Sequence, residues 1–168
     1  MSPRPSIHFF IRGVKPITQG SKTGFPFRKK DGSLGVRMTS SNDKALKDWR
    51  YLVHMAAVHE LHEQYEDDSL KIREEFPYLG PVRMELVFTL QRPKGHFGTG
   101  RNRDKLKPSA PRFHTQKPDS FKLARAVEDA LTGLIYRDDS QIIQTRVTKQ
   151  WGRQYHTVVN IYFPDEVE

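Results

Sequence analysis

Cysteine is absent from the 168 residues. Its absence removes disulfide scaffolds, thiolate zinc centres and cysteine nucleophiles together. No apolar run approaches the ~20 residues of a membrane span. The opening MSPRPSIHFF carries none of the charged start, long apolar stretch and small-residue cleavage site of a secretory signal. Acids are the third shortage: 20 Asp and Glu face 28 Lys and Arg, a net charge of +8 with histidine neutral. A chain of this length buries a real core as one domain. What is left is a single soluble, intracellular, basic domain with no membrane partner, and its charge points at nucleic acid.

The positive charge has an address. Between Arg92 and Lys117 stand eight cations, Arg92, Lys94, Arg101, Arg103, Lys105, Lys107, Arg112 and Lys117, against the single anion Asp104. Three glycines and three prolines interrupt the same stretch, and it has no apolar periodicity. It reads as a long, mobile basic loop, a length that compact domains keep for function or leave as a solvated insertion. A cationic arm along a phosphate backbone fits the composition better than an idle loop. Arg28, Lys29 and Lys30 form a smaller cluster at an expected hairpin.

Around the loop the pattern is mixed. Ile7, Phe9 and Ile11 alternate with polar neighbours as in a half-buried strand. Phe25–Arg28 and Val36–Thr39 are placed to pair across Asp31-Gly32, a strong hairpin dipeptide. Ser40, Ser41, Asn42 and Asp43 offer caps for a helix in which Leu46, Trp49, Leu52, Val53, Ala56 and Ala57 recur at helical spacing to about Glu66. A short helical turn is expected over Leu70–Phe76, stopped by Pro77. Val82–Gln91 alternates cleanly as a strand. A second helix is expected from about Ser120 to Thr132, with Gly133 as its stop. Strands over about Gln141–Trp151 and Tyr155–Phe163 close the chain. The fold class is α/β (α+β): a single mixed sheet with two main helices packed on it.

Three motifs fail on their own chemistry. Gly95-His-Phe-Gly-Thr-Gly100 mimics a phosphate-binding loop, but Arg101-Asn102 follows where Lys and a hydroxyl are needed, and no helix is expected to begin before Pro108. His59-Glu-Leu-His62 spaces its histidines by three and lacks the zinc-protease pattern. Ser41-Asn-Asp-Lys44 with Lys22-Thr-Gly24 has the motif order of the serine penicillin-binding enzymes reversed, in a chain too short for that fold.

The segment from Lys117 to Gln141 is more informative. Leu123, Ala126, Val127, Ala130 and Leu131 make one apolar helix stripe. Thirteen helical residues lead ~20 Å away from Asp119, and Leu134–Asp139 return ~20 Å if extended. Asp138 and Asp139 are thereby expected beside Asp119. Clustered carboxylates in a cationic protein raise one another's pKa unless a cation lies between them. Mg²⁺ suits such a site, since it takes few carboxylates and leaves room for water and a phosphate oxygen. The plain alternative makes Asp119 an N-cap and Asp138-Asp139 a turn.

The same segment strongly resembles the RusA-like Holliday junction resolvases, small metal-dependent endodeoxyribonucleases. The resemblance is carried by Lys117, Pro118, Asp119, Lys122, Leu123, Arg125, Ala126, Asp129, Ala130, Leu131, Gly133, Tyr136, Asp138, Asp139, Gln141 and Ile142. It implies a RusA-like fold over residues 1–168 and a homodimer that binds four-way or branched DNA and nicks two opposed strands. Mg²⁺ is the implied cofactor, with Mn²⁺ as a substitute. Such proteins are often encoded by phages and prophages, which implies the cytoplasm of a bacterial or phage-infected cell. By the resemblance, Asp119, Asp138 and Asp139 are metal-binding carboxylates. Arg125 stands at the catalytic basic position, usually Lys, and Lys117 and Lys122 join the loop cations on DNA.

Position 121 departs from the pattern. The family places a second metal-binding Asp there, and this chain has Phe121. At 100° per residue Phe121 shares the polar helix side with Arg125, Glu128 and Thr132. Two readings stay open. Either the nuclease keeps its activity, with Glu128 or Asp129 supplying the missing ligand, or it is a junction-binding protein with impaired or lost cleavage. By itself the spacing of Asp129 from Arg125 indicates an i,i+4 ion pair. Phe121 would then fold back against the domain or pack at a dimer contact.

Overall fold

A computed structural model describes residues 6–20, 23–39 and 43–164. The expected capping residues Ser40, Ser41 and Asn42 lie outside them. In chain order the elements are β1 (Ile7–Arg12), β2 (Thr23–Arg28), β3 (Leu34–Thr39), α1 (Asp43–Gln64), α2 (Ser69–Glu75), β4 (Val82–Gln91), α3 (Ser120–Leu131), β5 (Ile142–Gly152) and β6 (His156–Tyr162). The main sheet runs β1-β6-β4-β5. β6 is antiparallel to both β1 and β4, whereas β5 lies parallel to β4. The architecture is thus mixed α/β, as the strand and helix patterns required.

Alternation decides which side of the sheet is dry. Val82, Met84, Leu86, Phe88 and Leu90 of β4, Ile7, Phe9 and Ile11 of β1, and Val159 and Ile161 of β6 are buried. Helices α1 and α3 cover that face. Leu46, Trp49, Val53, Ala57 and Leu61 recur every three to four residues along α1 and form its buried stripe. Leu52, expected in that stripe, is exposed, because the stripe follows the i+3/i+4 row on which Val53 lies. α3 buries Leu123, Ala124, Ala126, Val127, Ala130 and Leu131. The small alanines let it seat closely against α1 and the sheet.

Two connections position the site. The parallel β4–β5 pair needs a long crossover, and the basic segment together with α3 provides it. The final connection is only three residues long, yet β5 and β6 do not pair, since β4 lies between them. The chain crosses the end of β4 there, a span of ~10 Å at two strand spacings. A Cβ at Gly152 would lie 2.2 Å from the Thr89 methyl, so that crossing requires glycine. β2 and β3 stand apart as a separate two-stranded ribbon.

Candidate functional site

The site is built on the outer face of α3. Asp119 occupies its N-cap position with extended backbone, but its carboxylate caps no helix amide. The plain capping reading therefore does not account for this side chain, which is exposed and lies 3.8 Å from the Lys122 ammonium. Asp119 and Lys122 line an open cleft of about 430 Å³ with Lys117, Pro118, Lys15 and Ile17. The segment after β1 forms the opposite wall. It is held by the Gln19 amide donating to the Lys122 carbonyl at 2.9 Å and by Arg50 donating to the Gln19 side chain at 2.7 Å.

The return from α3 is tighter than an extended chain. Leu134 and Ile135 both donate to the Leu131 carbonyl, and Gly133, at φ 78°, donates to Tyr136. Tyr136 is fully buried, and its hydroxyl donates to the Glu128 carbonyl at 2.9 Å. Desolvation, reinforced by nearby Glu128, pushes its phenol well above the ordinary tyrosine range, so it acts as a fixed donor. A 3-10 turn over Asp139–Gln141 follows.

The two acids of that turn part company. Asp138 forms a capping box: it accepts from the Ser140 amide, while Gln141 accepts from the Asp138 amide. Its hydrogen bonds with Ser140 hold its pKa below the usual carboxylate value. Gln141 also donates to the Tyr78 and Gly80 carbonyls, 2.9 Å each. Asp138 is thus committed to local structure. Asp139 turns instead to Arg125, with 3.0 Å between guanidinium and carboxylate. Arg125 also lies 3.3 Å from Asp129, and Asp129 is further paired with Arg50 of α1.

Asp119, Asp138 and Asp139 therefore do not form the expected three-acid cluster. Among the described residues, no three acidic or histidine side chains are arranged to hold a metal ion. The compact return carries Asp139 to Arg125, six residues or ~9 Å along the helix from Asp119. Its acidic neighbours are Asp129 and Glu128. Glu128 is half-buried and accepts a hydrogen bond from Thr145 of β5 at 3.2 Å. Burial raises its pKa; Thr145 and Arg125 partly oppose that rise, and Asp139 and Asp129 add to it. Phe121 is 80% exposed, so it does not fold back on the domain.

The basic segment is more organised than its composition suggested. It contains 3-10 turns at Lys94–His96 and Gly100–Asn102, and Phe97 and Leu106 form an antiparallel bridge. Trp151 anchors its base. The indole donates to the Phe113 carbonyl at 3.1 Å, the ring packs 3.9 Å from His114 and 5.2 Å from His96, and Arg92 lies over it. Arg92 also donates to the Pro111 carbonyl and Lys107 to the Gly95 carbonyl, 2.8 Å each. These two cations, expected on DNA, hold the loop's shape. Lys94, Arg101, Arg103, Lys105 and Arg112 are exposed along it. At its exit Lys149 donates to the Gln116 and Pro118 carbonyls, tying the loop to β5 beside Asp119.

Lys15, Arg50, Thr145 and Trp151 were not singled out by the sequence. Each lies far along the chain from the motif it serves, so local spacing carries no sign of it. A family model described as endodeoxyribonuclease RusA matches residues 37–162. An uncharacterized protein, YqaN of Bacillus subtilis (strain 168), is 33% identical over 155 residues, covering 92% of this chain and 94% of that protein. No helix among the described residues is long and apolar enough to cross a membrane. With most of its length inside the family match, the chain belongs to the endodeoxyribonuclease RusA family.

Proposed function

We propose that the protein is a Mg²⁺-dependent endodeoxyribonuclease, with Mn²⁺ as a substitute, that resolves Holliday junctions and other branched DNA by paired symmetric nicks. It acts as a homodimer in the bacterial or phage-infected cytoplasm, because two equivalent strands call for two equivalent sites. The observation that carries this reading is the endodeoxyribonuclease RusA match over residues 37–162, and Glu128, a half-buried carboxylate held by Thr145, supports it at the site. Glu128 lies seven residues after Phe121, on the same side of α3. It supplies an acid on the face where the family pattern loses one.

The donor chemistry fits a hard divalent ion. Mg²⁺ needs only one or two protein carboxylates beside water and substrate phosphate, and Asp139 and Glu128 would hold it, with Asp119 at the neighbouring cleft. A bound ion supplies phosphate polarisation and a more acidic water. The chain's own residues do the rest. Lys15, Lys117 and Lys122 draw a phosphodiester into the cleft of Asp119. The exposed loop cations extend that attraction along the backbone. Arg125 fixes Asp139 and Asp129 and presents a planar fork suited to phosphate oxygens.

A second reading rests on Arg125 itself. Its guanidinium already lies between Asp129 and Asp139, and with Phe121 at the departed position it favours a junction-binding protein with impaired cleavage. Nicking of a synthetic four-way junction separates the two. The nuclease reading expects paired Mg²⁺-dependent nicks, abolished in Asp139→Asn with junction binding unchanged. Binding without nicking by the native chain, and nicking gained in Phe121→Asp, would establish the second reading instead.

A further inference from the structure

The β2–β3 ribbon is the part of the molecule that neither the core nor the carboxylate site explains. Phe25, Phe27, Leu34 and Val36 are all exposed on it, none belongs to the buried core, and neither strand packs broadly on another element. A lone two-stranded hairpin is marginally stable in water, and an exposed apolar patch of this kind marks an interaction surface. Antiparallel register sorts its side chains. Phe25 and Phe27, the latter opposite Gly35, share one face, and Pro26 with Val36 and Arg28 with Leu34 share the other.

The aromatic face has a specific construction. A Cβ at Gly35 would meet the Phe27 ring at 2.9 Å and the end of the Lys29 stem at 3.2 Å. The Phe27 ring therefore lies across bare backbone, with a lysine at its rim and Phe25 two residues away. Lys29 and Lys30 stand at the turn, where the Gly32 amide donates to the Lys29 carbonyl and Gly32 adopts φ 84°. Residues 23–39 hold Arg28, Lys29, Lys30 and Arg37 against Asp31 alone. With four cations against one acid, the ribbon is a poor partner for the same ribbon of a second copy, and a polyanion carrying flat apolar rings is a good occupant. Position agrees. Gln19, bonded to the Lys122 carbonyl, precedes Phe25 by six residues, which limits Phe25 to ~20 Å from that anchor on α3's first turn.

We propose that the β2–β3 ribbon is a second DNA-contact element, which lays Phe25 and Phe27 against unstacked bases at the branch point while Lys29 and Lys30 take the flanking phosphates. This rests on the branched-DNA reading above and adds to it the part of the protein that senses the branch. Aromatic stacking serves every base alike, so it supplies preference for structure without sequence.

Binding is measured in EDTA, where nicking does not intervene, with the full chain and three probes: a four-way junction, single-stranded oligonucleotide and linear duplex. Phe25→Ala/Phe27→Ala should weaken junction and single-strand binding about tenfold or more and duplex binding less than twofold. Phe25→Trp/Phe27→Trp should restore both, which separates stacking from a collapsed hairpin. Lys29→Gln/Lys30→Gln should lower the slope of log affinity against log salt by about 2. Equal affinity of the alanine variant and native chain for all three probes would overturn the proposal while leaving the branched-DNA reading standing. So would loss of self-association in that variant with junction binding intact, since the ribbon would then be a dimer arm. A native chain that fails to prefer the junction over duplex would overturn the branched-DNA reading itself, and this inference with it.

Discussion

Glu128 is where stability and chemistry pull against each other. A buried carboxylate is costly when charged, and burial raises the Glu128 pKa above its ordinary 4.5. The folded state thus holds this proton more tightly than the unfolded chain does. Its contribution to stability is unaffected well below pH 4.5 and becomes unfavourable as pH rises through the raised folded value. Glu128→Gln keeps an oxygen for the Thr145 hydroxyl and removes the charge. The variant should match the native Tm near pH 4 and exceed it near pH 8, while losing divalent-ion affinity and nicking. Parallel Tm–pH curves measured by calorimetry would show that Glu128 carries no such burden. The residue was visible in the sequence only as one possible substitute ligand. Its hydrogen bond from Thr145 is a contact seventeen residues away that no local spacing predicts.

Helix α3 joins core and site. Its inward stripe holds it on the sheet, and its outward face carries Phe121, Arg125 and Glu128. Leu123 is fully buried one turn from Asp119, so Leu123→Ala should cost about 2–5 kcal/mol. That would lower Tm on the order of 10 °C for a chain of this size, with junction affinity falling alongside as the helix loosens. An unchanged Tm would mean that α3 is not fastened through that stripe. Elements with a strong period were legible from the sequence: β4 from strict alternation, α3 from its stripe, the ribbon from Asp-Gly. What escaped were the relations between elements. The sequence gives no hint that β4 separates β5 from β6. It also did not show that the turn after α3 is tight enough to carry Asp139 to Arg125 and leave Asp138 as a cap. These outcomes depend on hydrogen bonds made only once the sheet has assembled.

At the scale of the whole molecule, charge is segregated by function. The lysines of the Asp119 cleft and the exit of the basic loop adjoin the start of α3, whose outer face carries the acids, and the ribbon tip is a further cationic group. A polyanion drawn to all of them at once is brought to the carboxylates, and its affinity must fall steeply with salt. The loop's share is separable, because Arg92, Trp151 and Lys149 fix its base independently of its tip. Excising Gly95–Lys107 and closing the gap with a short Gly-Ser linker removes Arg101, Arg103, Lys105 and Lys107. Asp104, paired with Arg103, goes with them, so the net loss is three positive charges. At ~0.9 per phosphate contact, the log–log salt slope should fall by about 3. Junction and duplex binding should weaken together, because phosphate contacts of the kind proposed for this loop carry no information about branching or sequence. Fluorescence anisotropy from low to moderate salt reads both quantities. A slope that does not move would place the DNA elsewhere on the surface. A selective loss on junctions would assign branch recognition to the loop rather than to the ribbon.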